Sequence, residues 1–285
     1  MPRWIMLGSR KISPDELSEG FARLGLVGGE CIMLHALLES MGMVDGGAAM
    51  VLHRLTRTIG SEGTLLMPTF TSVARHAIFH SNFTRKGCWC EGMESRYIPF
   101  IPELQPDKEI GAIAHRLCSW PSSRRSNHPA YSYVAVGNRG DELVREVKLD
   151  DPLLPVRKFL KRNPRLVTIG VGFLAVTAIH LAVETVKPAK FVKERALSMS
   201  SKGPVWVEIR STGCSNGFGK LFSMLGSAAD FRQISIGMVR AESYSMKYLV
   251  DSAQSLLKED SNGLDCGNAS CLSCHPSANS TSRNL

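Results

Sequence analysis

Apolar and polar residues follow two patterns along this chain, and together they predict a sheet covered by helices. Continuous apolar runs at 30–35, 64–68 and 166–172 are typical of strands buried on both faces. Residues 45–60, between the first two runs, carry apolar side chains at helical spacing. The order strand, helix, strand predicts parallel pairing, because parallel strands need a long crossover connection.

Capping and turn signals predict the remaining elements. Ser13-Pro14-Asp15 is typical of a helix start, and this helix is expected to end near Gly25. Alternating residues at 131–137 predict a strand, and two more strands are predicted at 205–209 and 234–239. Helices are also predicted at 108–120, 141–148, 155–162, from residue 173 to Val186, and at 220–225. A last helix is predicted from Ser245, which would be its N-cap, to about Lys258.

These elements predict an α/β fold built as a single large domain, with a mixed, largely parallel central sheet covered by helices. The domain is expected to span residues 1–262, followed by a cysteine-rich, partly disordered tail at 263–285. Residues 70–107 have no clear periodicity, and a long irregular insertion in a compact domain usually serves as a lid or binding loop. We therefore expect this insertion to contribute to a ligand site.

The composition narrows the class of protein. Of the 285 residues, 44% are hydrophobic, which is enough for a large core. The net charge of +8 favours an anionic partner such as nucleic acid, acidic lipid or a phosphorylated cofactor. The basic residues are dispersed, however, without a run of five or more, which indicates a solvated surface and argues against nucleic-acid binding.

Neither a secretory nor a membrane segment is predicted. Polar residues at 8–11 follow the short N-terminal apolar stretch at once, and no apolar run approaches the roughly 18 residues of a membrane helix. The protein is therefore expected in the cytoplasm, with its eight cysteines mostly reduced.

His128 is the first candidate for chemistry. It lies between Arg124-Arg125 and the strand at 131–137, and Pro129 favours an extended backbone at this loop. A neutral imidazole in such a place can accept a proton near pH 7. The alternative is a structural histidine that caps the loop or hydrogen-bonds to a carbonyl.

A second polar group follows the 166–172 strand. Thr177, His180 and Glu184 are spaced i, i+3 and i+7, so a helix would place all three on one face. The carboxyl end of a strand is where α/β folds bind ligands. The alternative is an ordinary polar stripe on an exposed helix, and His180 with Glu184 supplies too few ligands to indicate a metal.

The tail holds Cys266, Cys271, Cys274 and His275 within ten residues. Such a set could supply zinc ligands, but adjacent Cys274 and His275 are awkward as simultaneous ligands, and a second CxxC pair is missing. Reduced thiols on a surface tail, with no metal required, are therefore the favoured interpretation. Zinc at Cys266, Cys271 and Cys274 is the alternative.

Several segments resemble motifs of the aminoglycoside 3-N-acetyltransferase family, and they occur in the family's order. They are 31–48, 60–71, Arg125-Ser126-Asn127-His128-Pro129 with Ser132, and Gly170-Val171-Gly172 followed by Thr177-Ala178-Ile179-His180. The 213–215 segment and the cysteine-rich tail also look like this family, and the similarity covers roughly residues 14–276. Motifs in a fixed order are much more specific than any one motif alone.

The resemblance implies a transferase that moves an acetyl group from acetyl-CoA to a primary amine of a small molecule, as in aminoglycoside antibiotic resistance. It implies that His128 is the general base, and we predict Thr177 as the donor to the thioester oxyanion and Glu184 as the carboxylate that orients the imidazole. Nucleic-acid and membrane partners are not expected, and a homodimer is left open. The candidate cofactor-binding residues are His35, Ala36, Leu37, Ser40, Thr69, Phe70 and Ser126.

Departures from the family motifs leave alternatives open. Val183 stands where the family has its glutamate, and Glu184 comes one residue later. One residue along a helix corresponds to a rotation of about 100°, so Glu184 is expected to point in a different direction from the family's glutamate. Ala36 replaces a serine, and the 149–155 loop lacks the family's glycine and serine. The alternatives are a degenerate member that binds CoA or a small ligand without turnover, and a zinc-stabilised nucleic-acid binder. Acidic residues that could bind a polycationic aminoglycoside are sparse, the visible candidates being Asp107, Glu109, Asp150 and Asp151.

Overall fold

The computed structural model describes residues 11–76, 97–188, 193–222, 229–271 and 273–275. Most of the described strands belong to one central sheet, and three belong to a smaller one. The strands are β1 (Cys31–Ala36), β2 (Thr64–Pro68), β3 (Arg75–His76), β4 (Arg124–Arg125), β5 (Tyr133–Gly137), β6 (Arg165–Ile169), β7 (Lys193–Ser200), β8 (Gly203–Arg210), β9 (Arg232–Ile236) and β10 (Val239–Ser245).

The central sheet runs in the order β4-β5-β2-β1-β6-β10-β9. β1 pairs in parallel with β2 on one side and with β6 on the other, while the four outer pairings are antiparallel. The predicted mixed sheet is confirmed, and its parallel part is limited to these three strands. Their carboxyl ends therefore lie at one edge of the sheet.

Helices cover both faces of this sheet. The described helices are α1 (Pro14–Arg23), α2 (Leu38–Met41), α3 (Gly47–Ile59), α4 (Ala112–Cys118), α5 (Gly140–Val144), α6 (Leu154–Leu160), α7 (Ile179–Val186) and α8 (Met246–Glu259). Along β1, Met33 joins the core formed by α5 to α8, whereas Ile32 and Leu34 join the core formed by α1 to α4. Successive side chains of a strand point to opposite faces, so both faces of the central strands need apolar residues.

The smaller sheet has the order β3-β7-β8. β7 and β8 pair over their whole length as a hairpin, and β3 adds Arg75 and His76 to the other edge of β7. A small core that includes Tyr131, Ala196 and Ile209 joins it to the main body. This sheet places Arg75 and Glu194 beside the edge of the central sheet at which β1, β2 and β6 end.

Several sequence predictions are confirmed at the level of single residues. Ser13 accepts a hydrogen bond from the backbone of Glu16 while the Glu16 carboxylate accepts one from Ser13, which forms a capping box. Ser245 is the N-cap of α8, where its hydroxyl accepts from the backbone of Tyr248. The strand expected at 64–68 has these same bounds.

Other predictions were wrong where tertiary pairing overrides local pattern. The strand expected at 234–239 is split into β9 and β10 by a turn at Gly237, whose φ is +60°. The helix expected at 108–120 is a short 3-10 turn (Lys108–Ile110) and α4, separated by Gly111 at φ +90°. The expected helices at 141–148 and after residue 172 are shorter, and β7 was not predicted.

Parts of three predictions lie outside the described residues. The helix expected at 220–225 is described only to residue 222, where a 3-10 turn covers Phe218–Leu221. The expected lid at 70–107 is described at 70–76 and 97–107, and the expected disorder of the last ten residues falls on 276–285. Among the helices of the described ranges, none combines the length and the apolarity that crossing a membrane requires.

We predict that Gly137→Ala lowers the free energy of unfolding by about 1–3 kcal/mol, because a left-handed backbone strains an L side chain. Gly137 has φ +103°, and a Cβ there would lie 2.2 Å from the Gly63 carbonyl oxygen on the neighbouring strand connection. Gly172→Ala is the matched control, since a Cβ there meets nothing within 4 Å. Urea unfolding midpoints measure the difference, and equal midpoints for the two variants would contradict this account.

Candidate active site

A cavity of about 360 Å³ opens at the carboxyl ends of the three parallel strands. Its walls come from the end of β1, the end of β2 and the segment that follows β6. Further walls come from the 212–215 loop after β8. The lining residues include Leu34, His35, Ala36, Leu37, Met67, Pro68, Phe70, Arg75, Glu109, Tyr131, Val171, Leu174, Thr177, His180, Thr212, Gly213 and Ser215.

Two histidines line this cavity. His35 is the penultimate residue of β1, where it is buried, and its Nε2 has no hydrogen-bond partner among the described residues. Burial lowers the pKa of His35 to about 4, so its imidazole is neutral at pH 7. His180 lies in the first turn of α7 and is 6% exposed, and its ring packs edge-on against Phe218 with the centroids 4.8 Å apart. Thr177, which precedes α7, also lines the cavity, whereas Glu184, predicted on the same helix face, is not among the lining residues.

Arg75 and Tyr131 also line the cavity, and they belong to a buried polar network. The Arg75 guanidinium donates to the Tyr131 hydroxyl at 2.6 Å and lies 3.4 Å from the Glu194 carboxylate. Tyr131 donates in turn to Glu194 at 3.0 Å. Burial raises the pKa of Tyr131 well above its ordinary value, so the phenol stays protonated and remains a donor. The network fixes the Arg75 cation at the cavity.

His128 lies beside this cavity without lining it. It is 3% exposed on the loop between β4 and β5, and its ring centroid is 5.5 Å from that of Tyr131. Its Nδ1 accepts hydrogen bonds from the backbone N–H groups of Ala130 and Tyr131, at 3.2 and 3.0 Å. The neutral ring therefore carries its proton on Nε2, and neither nitrogen is then free to accept another. This geometry favours the structural alternative for His128.

Burial lowers the pKa of His128 to about 4, while the backbone carbonyl of Leu149 acts in the opposite direction. The neutral form of this histidine is accordingly part of the folded structure at pH 7. A charged ring would lose its two Nδ1 hydrogen bonds, because Nδ1 would then carry a proton.

The prediction that Glu184 orients the His128 imidazole is wrong. Both carboxylate oxygens of Glu184 are engaged by arginines, with Oε2 at 2.6 Å from Arg157 and Oε1 at 2.6 Å from Arg210. The physical reason is charge pairing: Arg157 of α6 and Arg210 of β8 hold the Glu184 carboxylate, which is not part of the cavity lining. Val183, at the position of the family's glutamate, is buried in the core.

The residues predicted to bind the cofactor divide into two groups. His35, Ala36, Leu37 and Phe70 line the cavity. Ser40, Thr69 and Ser126 are instead used within the fold, and their hydroxyls are engaged by Leu37 O, by Ser132 Oγ and by the backbone N–H of Tyr133.

Arg125 organises this part of the structure. Its Nε donates to Thr69 Oγ1 at 3.2 Å and to Ser132 Oγ at 3.0 Å, and its Nη2 donates to the Thr69 carbonyl at 2.7 Å. Another donor binds the Leu104 carbonyl. Arg125 thus ties the end of β2 to the start of β5 and to the 97–107 segment.

The sequence reasoning missed Arg75, Tyr131, Glu194 and the 212–215 wall. Tyr131 lies within the quoted motif region, but its role depends on Arg75 and Glu194, which are distant in sequence. Thr212 and Ser215 gave a weak signal, because they flank the Gly213-Cys214 pair of a family motif. The pairing of β3 with β7 brings Arg75 and Glu194 together, and neither strand was predicted.

The tail cysteines are gathered near this wall. Cys266, Cys271 and Cys274 lie together with Cys214, which the sequence analysis had not included. The expectation of thiols on a surface tail is wrong for Cys274, which is 5% exposed. These residues form the one group of four candidate metal ligands identified within the described ranges.

Comparisons with known proteins give a consistent result. The model of the family described as aminoglycoside 3-N-acetyltransferase matches residues 33–258. The chain is 25% identical over 248 residues to the SPbeta prophage-derived aminoglycoside N(3')-acetyltransferase-like protein YokD of Bacillus subtilis (strain 168), with 84% of this chain and 90% of that protein covered. It is 28% identical over 217 residues to aminoglycoside N(3)-acetyltransferase III of Salmonella sp, with 74% of each covered.

The fold is also found among solved structures. The structure of AAC-IIIb in a binary complex with CoASH superposes with a TM-score of 0.76 at 20% identity, covering 88% of this chain and 97% of that one. This similarity establishes a shared α/β architecture.

We predict that the free energy of unfolding falls as the pH decreases from about 6.5 to about 4. Burial lowers the pKa of both His35 and His128 to about 4, so in this range the unfolded chain binds protons that the folded chain does not. Each buried histidine contributes roughly 3 kcal/mol that is present above pH 6.5 and lost as the pH approaches 4. Urea unfolding at a series of pH values measures this loss.

His128→Gln keeps an acceptor atom but does not titrate, so it should remove roughly half of the loss attributed to the two histidines. His53→Gln, on the exposed face of α3, serves as the control. The interpretation fails if His128→Gln and the control show the same pH dependence as the unsubstituted protein.

Proposed function

This chain belongs to the aminoglycoside 3-N-acetyltransferase family, and we propose that it transfers the acetyl group of acetyl-CoA to a primary amine of a small molecule. The observation that carries the proposal is the cavity at the carboxyl ends of β1, β2 and β6, which His180 and Thr177 both line. Its volume of about 360 Å³ is suited to the reacting ends of the thioester and the amine rather than to a whole CoA molecule.

The reaction needs a base at this cavity. The amine nitrogen attacks the thioester carbonyl carbon, the C–S bond breaks, and the proton released by the amine passes through a base to the departing thiolate. The sequence analysis assigned the base to His128. The hydrogen bonds at its Nδ1 favour His180 instead, because His180 lines the cavity beside Thr177. We therefore propose that His180 transfers the proton, and that His128 holds the Tyr131 segment in position.

The thioester carbonyl develops negative charge during this attack. Thr177 is the proposed donor to that oxyanion, since its hydroxyl lines the same wall as His180. Arg75 supplies a positive charge at the same cavity, and its contacts with Tyr131 and Glu194 hold the guanidinium in a fixed position. Both groups are in place before substrate arrives.

The end of β1 is the proposed contact for the pantetheine arm. His35, Ala36 and Leu37 present backbone and apolar surface along one wall, and Phe70 adds a ring at the end of β2. A relative with this architecture binds CoASH, as described above for AAC-IIIb. The net charge of +8 suits an anionic cofactor.

The acceptor is proposed to carry fewer positive charges than a typical aminoglycoside. Of the four acidic candidates, Glu109 lines the cavity. Neither Asp107 nor Asp151 is among the lining residues: Asp107 accepts the backbone N–H of Ser72 at 2.8 Å, and Asp151 pairs with Arg157 at 3.1 Å. A polycation therefore finds one acidic side chain and the opposing charge of Arg75 in this cavity.

A second candidate function is ligand binding without turnover. The observation that favours it is Glu184, which is paired with two arginines, while Val183 fills the position of the family's glutamate with an apolar side chain. Val183 has no carboxylate, so the family's position contributes no stabilisation to an imidazolium formed at His180 during proton transfer.

The test is thiol release from acetyl-CoA with a panel of aminoglycosides and simple amines. His180→Gln should lower kcat/KM by about 10²–10⁴-fold, the usual contribution of general base catalysis. His128→Gln should retain activity within about tenfold, because a positioning residue does not move the proton. His53→Gln is the surface control.

The same variants separate the alternatives. Loss of turnover in His128→Gln with full activity in His180→Gln would return the catalytic role to His128. If acetyl-CoA raises the melting temperature of every variant but no amine is acetylated by the unsubstituted protein, the chain is a binder rather than an enzyme.

A further inference from the structure

Four cysteine sulfurs converge behind the cavity wall. The Sγ atoms of Cys214, Cys266, Cys271 and Cys274 all lie within 4.8 Å of one another. Cys214 belongs to the loop after β8, and the other three follow α8. None of the four is an exposed residue, and Cys274 is buried.

This arrangement has the dimensions of a tetrahedral metal site. Zinc–sulfur bonds of about 2.3 Å place the sulfurs of a four-thiolate site about 3.8 Å apart, which is compatible with four sulfurs that all lie within 4.8 Å of one another. The three tail cysteines follow the spacing CxxxxCxxC, within the range usual for structural zinc ligands. The sequence analysis had considered His275 as the fourth ligand, whereas the fold supplies Cys214.

Backbone amides are directed at the sulfurs, which is a second and independent observation. The N–H of Asn216 donates towards Cys214, and the N–H groups of Ser273 and Cys274 donate towards Cys271. Such donors two and three residues after a cysteine stabilise a thiolate and orient it towards a cation.

Lysines supply charge compensation next to the cluster. Four thiolates around one divalent cation carry a net negative charge. Lys220 donates to the Asp265 carbonyl at 3.0 Å, and Lys187 lies 3.5 Å from the Asp265 carboxylate, beside Cys266.

We infer that Cys214, Cys266, Cys271 and Cys274 bind one Zn²⁺ ion in a closed tetrahedral site. Four protein ligands leave no open position for water or substrate, so the ion is structural rather than catalytic. The metal would join the end of the chain to the loop after β8.

The proposed zinc site lies next to the cavity. Thr212, Gly213 and Ser215 line the cavity on either side of Cys214. The same loop is packed closely on the tail, because a Cβ on Gly217 would lie 2.2 Å from the Leu264 carbonyl oxygen, and Cys214 N donates to Ser273 Oγ at 2.9 Å. The zinc would thereby hold one wall of the cavity in place.

The experiment is metal analysis of the full chain, purified under reducing conditions from medium supplemented with zinc. We expect one zinc ion per chain. Cys214→Ser and Cys274→Ser should each lower zinc affinity by about tenfold or more, whereas Cys118→Ser, at the end of α4 and outside the cluster, should leave the zinc content unchanged. Full zinc retention in Cys214→Ser would overturn the ligand set.

A spectroscopic measurement on the unsubstituted protein covers the case in which a variant does not fold. Replacement of zinc by Co²⁺ should give the intense sulfur-to-cobalt bands and the visible bands of a tetrahedral thiolate site. Absence of bound metal, iron in place of zinc, or disulfides among these cysteines in the reduced protein would each overturn the inference. None of these readouts needs acetyl transfer, so failure of the proposed function would leave this test intact.

Discussion

The parallel pairing of β1 with β2 and β6 is the constraint on which the candidate site depends. It brings the ends of three strands to one edge, and with them His35, Pro68 and the segment from Val171 onwards. Because these strands are buried on both faces, their register is fixed by apolar residues packed against helices on each side. The chemistry is therefore carried by short segments at the ends of rigid elements.

Around this edge, charged residues are held by partners rather than left to solvent. Arg75 is fixed by Tyr131 and Glu194, and Arg125 by Thr69 and Ser132. Buried charges require such pairing, since their desolvation is costly. The consequence is a preorganised site in which a cation and several hydroxyl groups keep fixed positions.

The sequence predicted what local pattern and order determine. The three parallel strands, the capping box at Ser13 and the N-cap at Ser245 follow from apolar runs and capping residues, and the family follows from motifs in order. Features that depend on distant pairing could not be predicted in this way. Gly237 turns one expected strand into two, and Cys214 joins cysteines that are far away in sequence.

The roles of the two histidines show the same limit. The motif around His128 drew attention to it, but the motif does not reveal that its Nδ1 is engaged by two backbone N–H groups. The motif likewise does not reveal where the Glu184 carboxylate lies, because its position is determined by ion pairs with Arg157 and Arg210. Hydrogen-bond direction and side-chain pairing are decided by the packed structure, not by residue spacing.

The 212–215 wall has a consequence for the order in which the protein matures. That wall packs against residues 264–274, which follow all the described strands and helices in sequence, so these residues must leave the ribosome before they can reach it. The sheet and most of its helices can form earlier during synthesis. The cavity is thus completed after the sheet has formed. A chain released from the ribosome before residue 264 would contain His35 and His180 but would lack the segment that supports the 212–215 wall.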